Sequence, residues 1–296
     1  MSSSAVASAA SPTFAEASSA SIRPGAMTFT DGAQCTSNFV FYDASTVYLG
    51  QAAHCSGTGG ADETNGCLAK SLAVGTPGDI AGASRPGRLA YNSWVMMQAI
   101  GEKDPDACQY NDFALVALDP ADAGKVSPSV PTFGVPTGLN TSGTAAGDAV
   151  RSYGNSQLRG GIALLSPKFG FALGQDSGGW NHPVLTVTPG IPGDSGSGFL
   201  DARGRAFGVL STLSVLPLPG TNGVSDLSRA LNYMRAHGGP GVVLADTTQA
   251  APPAAAASAP AAATKLAARK RSAARSRPRP SQARKRRATG CKQRKS

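Results

Sequence analysis

The sequence GDSGSG, residues 193–198, places two serines and one acid among three glycines. Glycine, serine and aspartate are common in turns, so the stretch alone fits a polar turn between two strands. It fits equally well the position of a nucleophile, Ser195. The rest of the sequence has to decide between these two interpretations.

The composition of the 296-residue chain favours short strands and turns over long helices. It contains 36 Gly and 21 Pro, and only 6% of its residues are aromatic. Short apolar runs separated by turn residues extend from about residue 28 to 218, which is typical of a β-sandwich or β-barrel. One amphipathic helix is predicted over residues 225–237, with Ser225 as its N-cap. No apolar run approaches the roughly 20 residues that are needed to cross a bilayer.

The net charge of +9 comes from the C-terminal end of the chain. Residues 265–296 contain 14 Lys and Arg and no acid, which leaves 13 of the 27 basic residues against all 18 acidic ones. We expect this segment to be a disordered basic tail that follows an Ala/Pro-rich linker over residues 241–264. Residues 1–27, rich in Ser and Ala, are also expected to be disordered.

The charge density of the tail predicts binding to a polyanion through release of counterions. Candidate partners are an anionic cell-wall polymer, an anionic membrane surface and nucleic acid. The tail has no aromatic residue, which disfavours recognition of single strands by stacking. The alternative is a dispensable extension that binds nothing.

Four cysteines lie in the first half of the chain, at Cys35, Cys55, Cys67 and Cys108, and Cys291 lies in the tail. No pair has the C-x-x-C spacing of a zinc site, so no metal is expected. An even set of four favours two disulfides and an oxidising compartment, so we expect a secreted or cell-envelope protein. Three pairings are possible. We favour Cys35–Cys55 with Cys67–Cys108. A disulfide that closes a loop of about 20 residues stabilises a fold by roughly 3 kcal/mol in the chain-entropy model. The alternative is four buried free thiols in a cytosolic protein.

Two further residues favour the nucleophile over the turn. His54 ends an apolar run in QAAHC, and Asp112 begins the run DFALVAL. A serine hydroxyl needs an imidazole to remove its proton, and a carboxylate to fix the imidazole tautomer and stabilise the imidazolium. The backbone N–H groups of Gly193 and Ser195 can stabilise the oxyanion that follows, and a side chain at position 193 would obstruct them. His54, Asp112 and Ser195 are therefore the predicted catalytic residues.

These motifs, AAHC, DFAL and GDSG, resemble those of the trypsin/chymotrypsin-like serine proteases, and most closely the bacterial secreted branch. The resemblance covers about residues 28–238 and is carried by the three motifs together and in this order. It implies an all-β fold of two antiparallel six-stranded barrels with a C-terminal helix and disordered termini. The barrels would span about residues 28–125 and 126–240, with the active site in the cleft between them. The resemblance also implies that the disulfide beside the histidine is Cys35–Cys55.

The resemblance further indicates where a peptide would bind. The stretch GVLSTL corresponds to the strand that pairs with an extended substrate, so Ser211, Thr212 and Leu213 are the predicted substrate-binding residues. Residues 186–193 would form one wall of the pocket for the substrate side chain. This wall contains no acid, and it therefore favours a neutral or small apolar side chain over Arg or Lys.

The sequence thus predicts a monomeric serine endopeptidase that acts on protein or peptide substrates and requires no cofactor. The alternative is an inert homologue of such an enzyme that binds a surface or a polyanion through its tail. One feature of the family is missing: the chain has no Ile-Val-Gly-Gly start whose amino group could pair with the acid before the serine, Asp194. An arginine or backbone donors must then hold Asp194 if the oxyanion site is to form.

Overall fold

The computed structural model describes residues 12–60, 63–213 and 220–248, and these residues form a mostly β protein with a few short helices. Its strands are β1 Met27–Thr30, β2 Ala33–Thr36, β3 Val40–Tyr42, β4 Val47–Gln51, β5 Pro77–Ile80, β6 Gly87–Asn92, β7 Ala114–Ala117, β8 Ala146–Tyr153, β9 Pro167–Leu173, β10 Asn181–Thr186, β11 Gly198–Asp201, β12 Ala206–Leu213, β13 Thr221–Asp226 and β14 Val243–Leu244. Its α-helices are α1 Ser93–Ile100, α2 Pro105–Tyr110, α3 Pro120–Ala123 and α4 Leu227–Ala236.

The second half of the fold is a closed barrel of six antiparallel strands. Going round the barrel, the strands follow the order β10, β13, β12, β11, β8 and β9, and β9 pairs again with β10. Its interior is filled by apolar side chains that alternate along the strands, including Val150, Phe199, Phe207 and Val224. This half confirms the prediction of an antiparallel six-stranded barrel.

The first half is also antiparallel but contains more strands than expected. It is an eight-stranded sheet in the order β14, β3, β4, β7, β6, β5, β1 and β2. The all-β prediction is confirmed, whereas the count of six strands for this half is wrong. One added strand is β14, which pairs with β3 and comes from the segment that was predicted as linker.

Both ends of the folded region reach further than the sequence suggested. Phe14 is 4% exposed and packs edge-on against Tyr42, with ring centroids 6.1 Å apart, and Ile22 is fully buried and bridges to Val126. At the other end, Ala245 is fully buried behind β14. The predicted disorder of residues 1–27 is thus wrong from residue 12 onward, and the predicted linker 241–264 is wrong up to residue 248. A few apolar side chains suffice to fix these two terminal segments on the sheet, because each enters the core.

The predictions of disorder for the rest of the two termini concern residues outside the described ranges. These are residues 1–11 and everything after residue 248, including the basic tail and Cys291. Within the described ranges, no helix combines the length and apolar character that crossing a membrane requires.

Helix α4 occurs where the sequence predicted it, but with a different N-cap. Asp226 is the cap, since its Oδ1 accepts a hydrogen bond of 2.7 Å from the backbone N–H of Arg229. Ser225 belongs to β13 instead, so the predicted serine cap is wrong. The apolar side chains Leu231 and Met234 are buried in the main core, which fixes the helix on the body of the protein.

Both favoured disulfides are present. Cys35 and Cys55 are joined with their Cα atoms 6.0 Å apart, and Cys67 and Cys108 with theirs 5.1 Å apart. The first bridge connects β2 to the turn that carries His54, and the second connects the following loop to α2. The pairing that was favoured from the sequence is therefore confirmed.

Candidate active site

His54 and Asp112 are brought together by two adjacent strands. His54 lies in the short 3₁₀ turn Ala53–Ser56 that follows β4, and Asp112 lies just before β7, which pairs with β4. Asp112 Oδ2 is 2.6 Å from His54 Nδ1, and Asp112 Oδ1 accepts a hydrogen bond of 2.9 Å from the His54 backbone N–H. Ser211 Oγ donates to the same Oδ2 at 2.5 Å. The carboxylate therefore fixes both the ring and the backbone of His54.

The environment of this pair favours its charged form. Burial alone would lower the pKa of His54, but the charge and the hydrogen bond of Asp112 outweigh it, and the pKa is raised above 6.5. Burial would raise the pKa of Asp112, but His54, Ser211 and the backbone of His54 together hold it below its ordinary value. The carboxyl group of Asp112 therefore stays ionised beside the imidazole of His54.

Ser195 lies on the loop between β10 and β11 and faces the same cleft as His54. The cleft has a volume of about 520 Å³. Gly196, with φ at +86°, makes the tight turn after Ser195, and a Cβ there would come within 2.6 Å of the Thr36 carbonyl oxygen. Among the described residues, no hydrogen bond yet joins Ser195 Oγ to His54. The structure thus brings the three predicted catalytic residues to one cleft, with the imidazole and the carboxylate already paired.

The two predicted oxyanion donors are free to act. Neither the Gly193 nor the Ser195 backbone N–H donates to any described residue. Gly193 has φ at +93°, and its carbonyl oxygen accepts from Gln34 Nε2 at 2.9 Å and from Thr36 Oγ1 at 2.7 Å. The φ of Gly193 lies in the region that residues with a side chain rarely adopt, and a Cβ there would also come within 2.1 Å of Gln34 Oε1, so glycine is strongly favoured at this position.

Asp194 is completely buried and is held by two cations. Arg159 Nη2 and Lys168 Nζ both donate to its Oδ2, the latter at 2.8 Å. The backbone N–H of Ser156 donates to Oδ1 at 3.1 Å, and that of Ile191 donates to Oδ2 at 3.2 Å. Arg159 and the backbone donors are the kinds of partner that the sequence analysis considered for Asp194, whereas Lys168 is an addition that it did not foresee.

Lys168 is itself fully buried, so its charge depends on its neighbours. Burial lowers the pKa of Lys168; the charge and hydrogen bond of Asp194 oppose this effect, and Arg159 adds to it. The net result is a pKa below the ordinary 10.5. Lys168 and Arg159 stabilise Asp194, and through it the loop that carries Ser195.

The predicted substrate-binding residues do not all have the same role. Ser211, Thr212 and Leu213 all line the cleft. The hydroxyl of Ser211, however, donates a hydrogen bond to Asp112. Opposite them the wall contains Gly190, whose N–H donates to Asn222 Oδ1 at 2.8 Å. Asn222 is 1% exposed and joins this wall to β12 by donating to the Thr212 carbonyl at 3.2 Å.

Sequence reasoning missed the residues that support the loop: Ser156, Arg159, Lys168, Gln34 and Asn222. None belongs to a local motif, and each reaches the loop from a distant part of the chain. In the described ranges, only the set Cys35, His54 and Cys55 brings three metal-ligating groups together. Both sulfurs are in the disulfide, so this set does not fit a metal ion.

No protein-family model and no curated protein matches this chain. Solved structures do resemble it. Protease A of Thermobifida fusca is 17% identical, with 76% of this chain and 98% of that chain covered and a TM-score of 0.49. A Nocardiopsis protease is 19% identical, with 75% and 98% covered and a TM-score of 0.46. The Cellulomonas bogoriensis chymotrypsin is 16% identical, with 76% and 100% covered and a TM-score of 0.46.

Replacing Asp194 by asparagine tests the buried charge cluster. Asp194→Asn leaves Arg159 and Lys168 buried without their counter-ion, so we expect the free energy of unfolding to fall by about 3–5 kcal/mol. Urea denaturation measures this change. Asp79→Asn, at an exposed position on β5, is the matched control and should have almost no effect. A loss of less than about 1 kcal/mol for Asp194→Asn would contradict the stabilising role of the cluster.

Proposed function

We propose that this chain is a chymotrypsin-like serine endopeptidase that hydrolyses peptide bonds through an acyl-enzyme. The observation that carries the proposal is the pairing of His54 with Asp112 in the cleft that Ser195 faces. The free N–H groups of Gly193 and Ser195 beside this cleft add a site for the oxyanion. A polar turn without catalytic function would need neither feature.

In the first half of the reaction, Ser195 Oγ attacks the carbonyl carbon of the substrate. Since Nδ1 of His54 carries the proton that is shared with Asp112, Nε2 is the acceptor for the hydroxyl proton. A hydrogen bond between Ser195 Oγ and His54 Nε2 is expected to form when substrate is bound. The oxyanion is stabilised by the N–H groups of Gly193 and Ser195, and losing one such donor costs roughly 3 kcal/mol.

In the second half, the imidazolium of His54 gives its proton to the leaving amine, and the C–N bond breaks. Water then attacks the ester carbonyl of the acylated Ser195 while His54 again removes a proton. Returning this proton to Ser195 Oγ releases the acid product and restores the free enzyme. Asp112 remains ionised throughout and stabilises the imidazolium in both halves.

The walls of the cleft support a preference for neutral side chains. Gly190 and Ile191 on one wall and Thr212 and Leu213 on the other carry no charge. The acids that line the described cleft are Asp112, which is bonded to His54, and Glu63, in the loop after the histidine. Binding Arg or Lys in a desolvated pocket requires a carboxylate partner, which the described walls do not offer.

The two disulfides support a secreted or cell-envelope location, because such bonds persist in oxidising compartments.

A second candidate role, favoured by the separation of charge along the chain, belongs to residues 265–296. With 14 basic residues and no acid, this segment has the composition to bind a polyanion, and the folded region could be an inert carrier.

A fluorophosphonate probe separates the two candidates. We expect it to label the wild-type, oxidised chain, because the probe reacts with an activated serine, and to leave Ser195→Ala unlabelled. Mass spectrometry of the labelled peptide should place the probe on Ser195. Ser197→Ala, which removes the other serine of the same motif, is the matched control and should still be labelled. If the folded wild-type protein is not labelled, the inert-carrier role is favoured and the protease proposal fails.

The pH dependence of kcat/KM tests the His54–Asp112 pair. His54 must be neutral to act as a base, and its pKa is raised, so activity should rise with pH through a midpoint above 6.5. Asp112→Asn removes the charge that raises the pKa and leaves the tautomer unfixed. We expect the midpoint to fall and kcat to drop by about 10⁴-fold. A midpoint unchanged in Asp112→Asn would show that the carboxylate does not act on the catalytic base.

Cleavage of a peptide library tests the pocket. Substrates with Ala, Val or Leu before the scissile bond should exceed those with Arg or Lys in kcat/KM by at least about 10-fold. Asn222→Asp adds a carboxylate to the wall, so it should shift this ratio toward Arg and Lys. Wild-type cleavage that favours Arg or Lys would refute the assignment of a neutral pocket.

A further inference from the structure

The peptide bond between Pro192 and Gly193 decides whether the oxyanion site exists. The N–H of Gly193 is one of its two donors, and the carbonyl of Pro192 belongs to the same rigid plane. A bond on the N-terminal side of glycine is trans, so this carbonyl and this N–H point in opposite directions. If the plane turned over, the carbonyl oxygen would face the developing oxyanion and repel it.

Nothing in glycine itself prevents this rotation. Gly193 has φ at +93°, and glycine adopts positive and negative φ with similar ease. The carbonyl of Gly193 is held by Gln34 and Thr36, but those bonds act on the peptide plane that follows Gly193 and not on the one that precedes it. The plane that carries the N–H donor needs a separate anchor.

Ser156 provides that anchor. Its Oγ is 2.6 Å from the carbonyl oxygen of Pro192. The direction of the hydrogen bond is unambiguous, because the carbonyl can only accept and the hydroxyl already accepts from the Leu158 N–H at 3.1 Å. Pro192 and Gly193 line the cleft, whereas Ser156, which is 2% exposed, does not. The carbonyl is therefore directed away from the cleft, and the Gly193 N–H is directed toward it.

Ser156 is itself held in place by the buried charge cluster. Its backbone N–H donates to Asp194 Oδ1 at 3.1 Å, so Ser156 and the acid before the nucleophile form one unit. The backbone contact would survive loss of the side chain. Removing the hydroxyl therefore releases the Pro192 carbonyl and keeps the backbone bond to Asp194, although it also removes the N-cap acceptor of the short turn Gln157–Arg159.

We propose that Ser156 is a positioning residue that sets the orientation of the Pro192–Gly193 peptide and thereby forms the oxyanion site. The inference rests on the proposed function, because an oxyanion site matters only if Ser195 reacts. It assigns to the loop between β8 and β9 a role in stabilising the transition state, although no residue of this loop lines the cleft. Loss of the hydroxyl should affect the acyl-transfer steps and leave substrate binding and the basicity of His54 unchanged.

The kinetic test compares Ser156→Ala with Ser156→Thr. We expect Ser156→Ala to lower kcat by about 10- to 100-fold, less than the 10²–10³-fold typical of losing an oxyanion donor outright. KM and the pH midpoint should stay at their wild-type values, because Ser156 contacts neither the substrate nor His54. Ser156→Thr keeps the hydroxyl and should recover most of the activity. The control Ser225→Ala removes a buried hydroxyl that has no described partner, and it should have wild-type kcat.

A crystal structure of Ser156→Ala gives a result that does not depend on activity. We expect the Pro192 carbonyl to be turned toward the cleft or to occupy two orientations. If Ser156→Ala does not fold, Ser156→Cys keeps nearly the same side-chain volume with a much weaker donor and should behave in the same way. A single wild-type orientation of the plane, or a kcat within about twofold of wild type, would overturn the proposal. An unreactive wild type would refute the proposed function, and the orientation of the plane would still decide the role of Ser156.

Discussion

The geometry of the candidate site depends on one buried carboxylate, that of Asp194. A charge with no exposure to solvent is strongly unfavourable unless cations and hydrogen-bond donors replace the lost water. Arg159 and Lys168 supply the charge, and the N–H groups of Ser156 and Ile191 complete the shell. Because Ile191 belongs to the same loop as Ser195 and the other donors come from the β8–β9 region, satisfying the carboxylate also fixes the backbone just before Ser195.

A second constraint joins the two halves of the fold. Strand β2 belongs to the first sheet, yet Gln34 and Thr36 hold the Gly193 carbonyl in the loop of the second barrel. Between them lies Cys35, which is bonded to Cys55, the residue directly after His54. One short strand therefore contacts the loop of the nucleophile and the turn of the base. The disulfide therefore contributes to the relative position of His54 and the loop of Ser195 in addition to its effect on stability.

The meeting of His54, Asp112 and Ser195 in one cleft could be predicted from the sequence, whereas the residues that support the loop could not. His54, Asp112 and Ser195 stand in short motifs whose residue types are dictated by the reaction, so each can be recognised locally. Lys168 and Phe169 show the opposite case. In the run PKFGFAL, alternation by hydrophobicity would turn the phenylalanine inward and the lysine outward, but Phe169 is 50% exposed and Lys168 is fully buried. The partner that reverses this pattern, Asp194, lies 26 residues away, beyond the reach of any local rule.

Gly193 likewise depends on hydrogen-bond partners that lie far away in the sequence. Position 193 favours glycine because its φ of +93° strains a residue with a side chain, and Gln34 and Ser156 also occupy the space that a Cβ would require. The absence of a side chain also removes the steric restriction that would have held the backbone in one conformation. Orientation must then be imposed from outside, by hydrogen bonds to the carbonyl groups on both sides of Gly193. Gln34 and Ser156, which leave little room for a side chain at this position, are thus also hydrogen-bond donors that fix its backbone. The preference for glycine and the need for these donors therefore have the same physical cause.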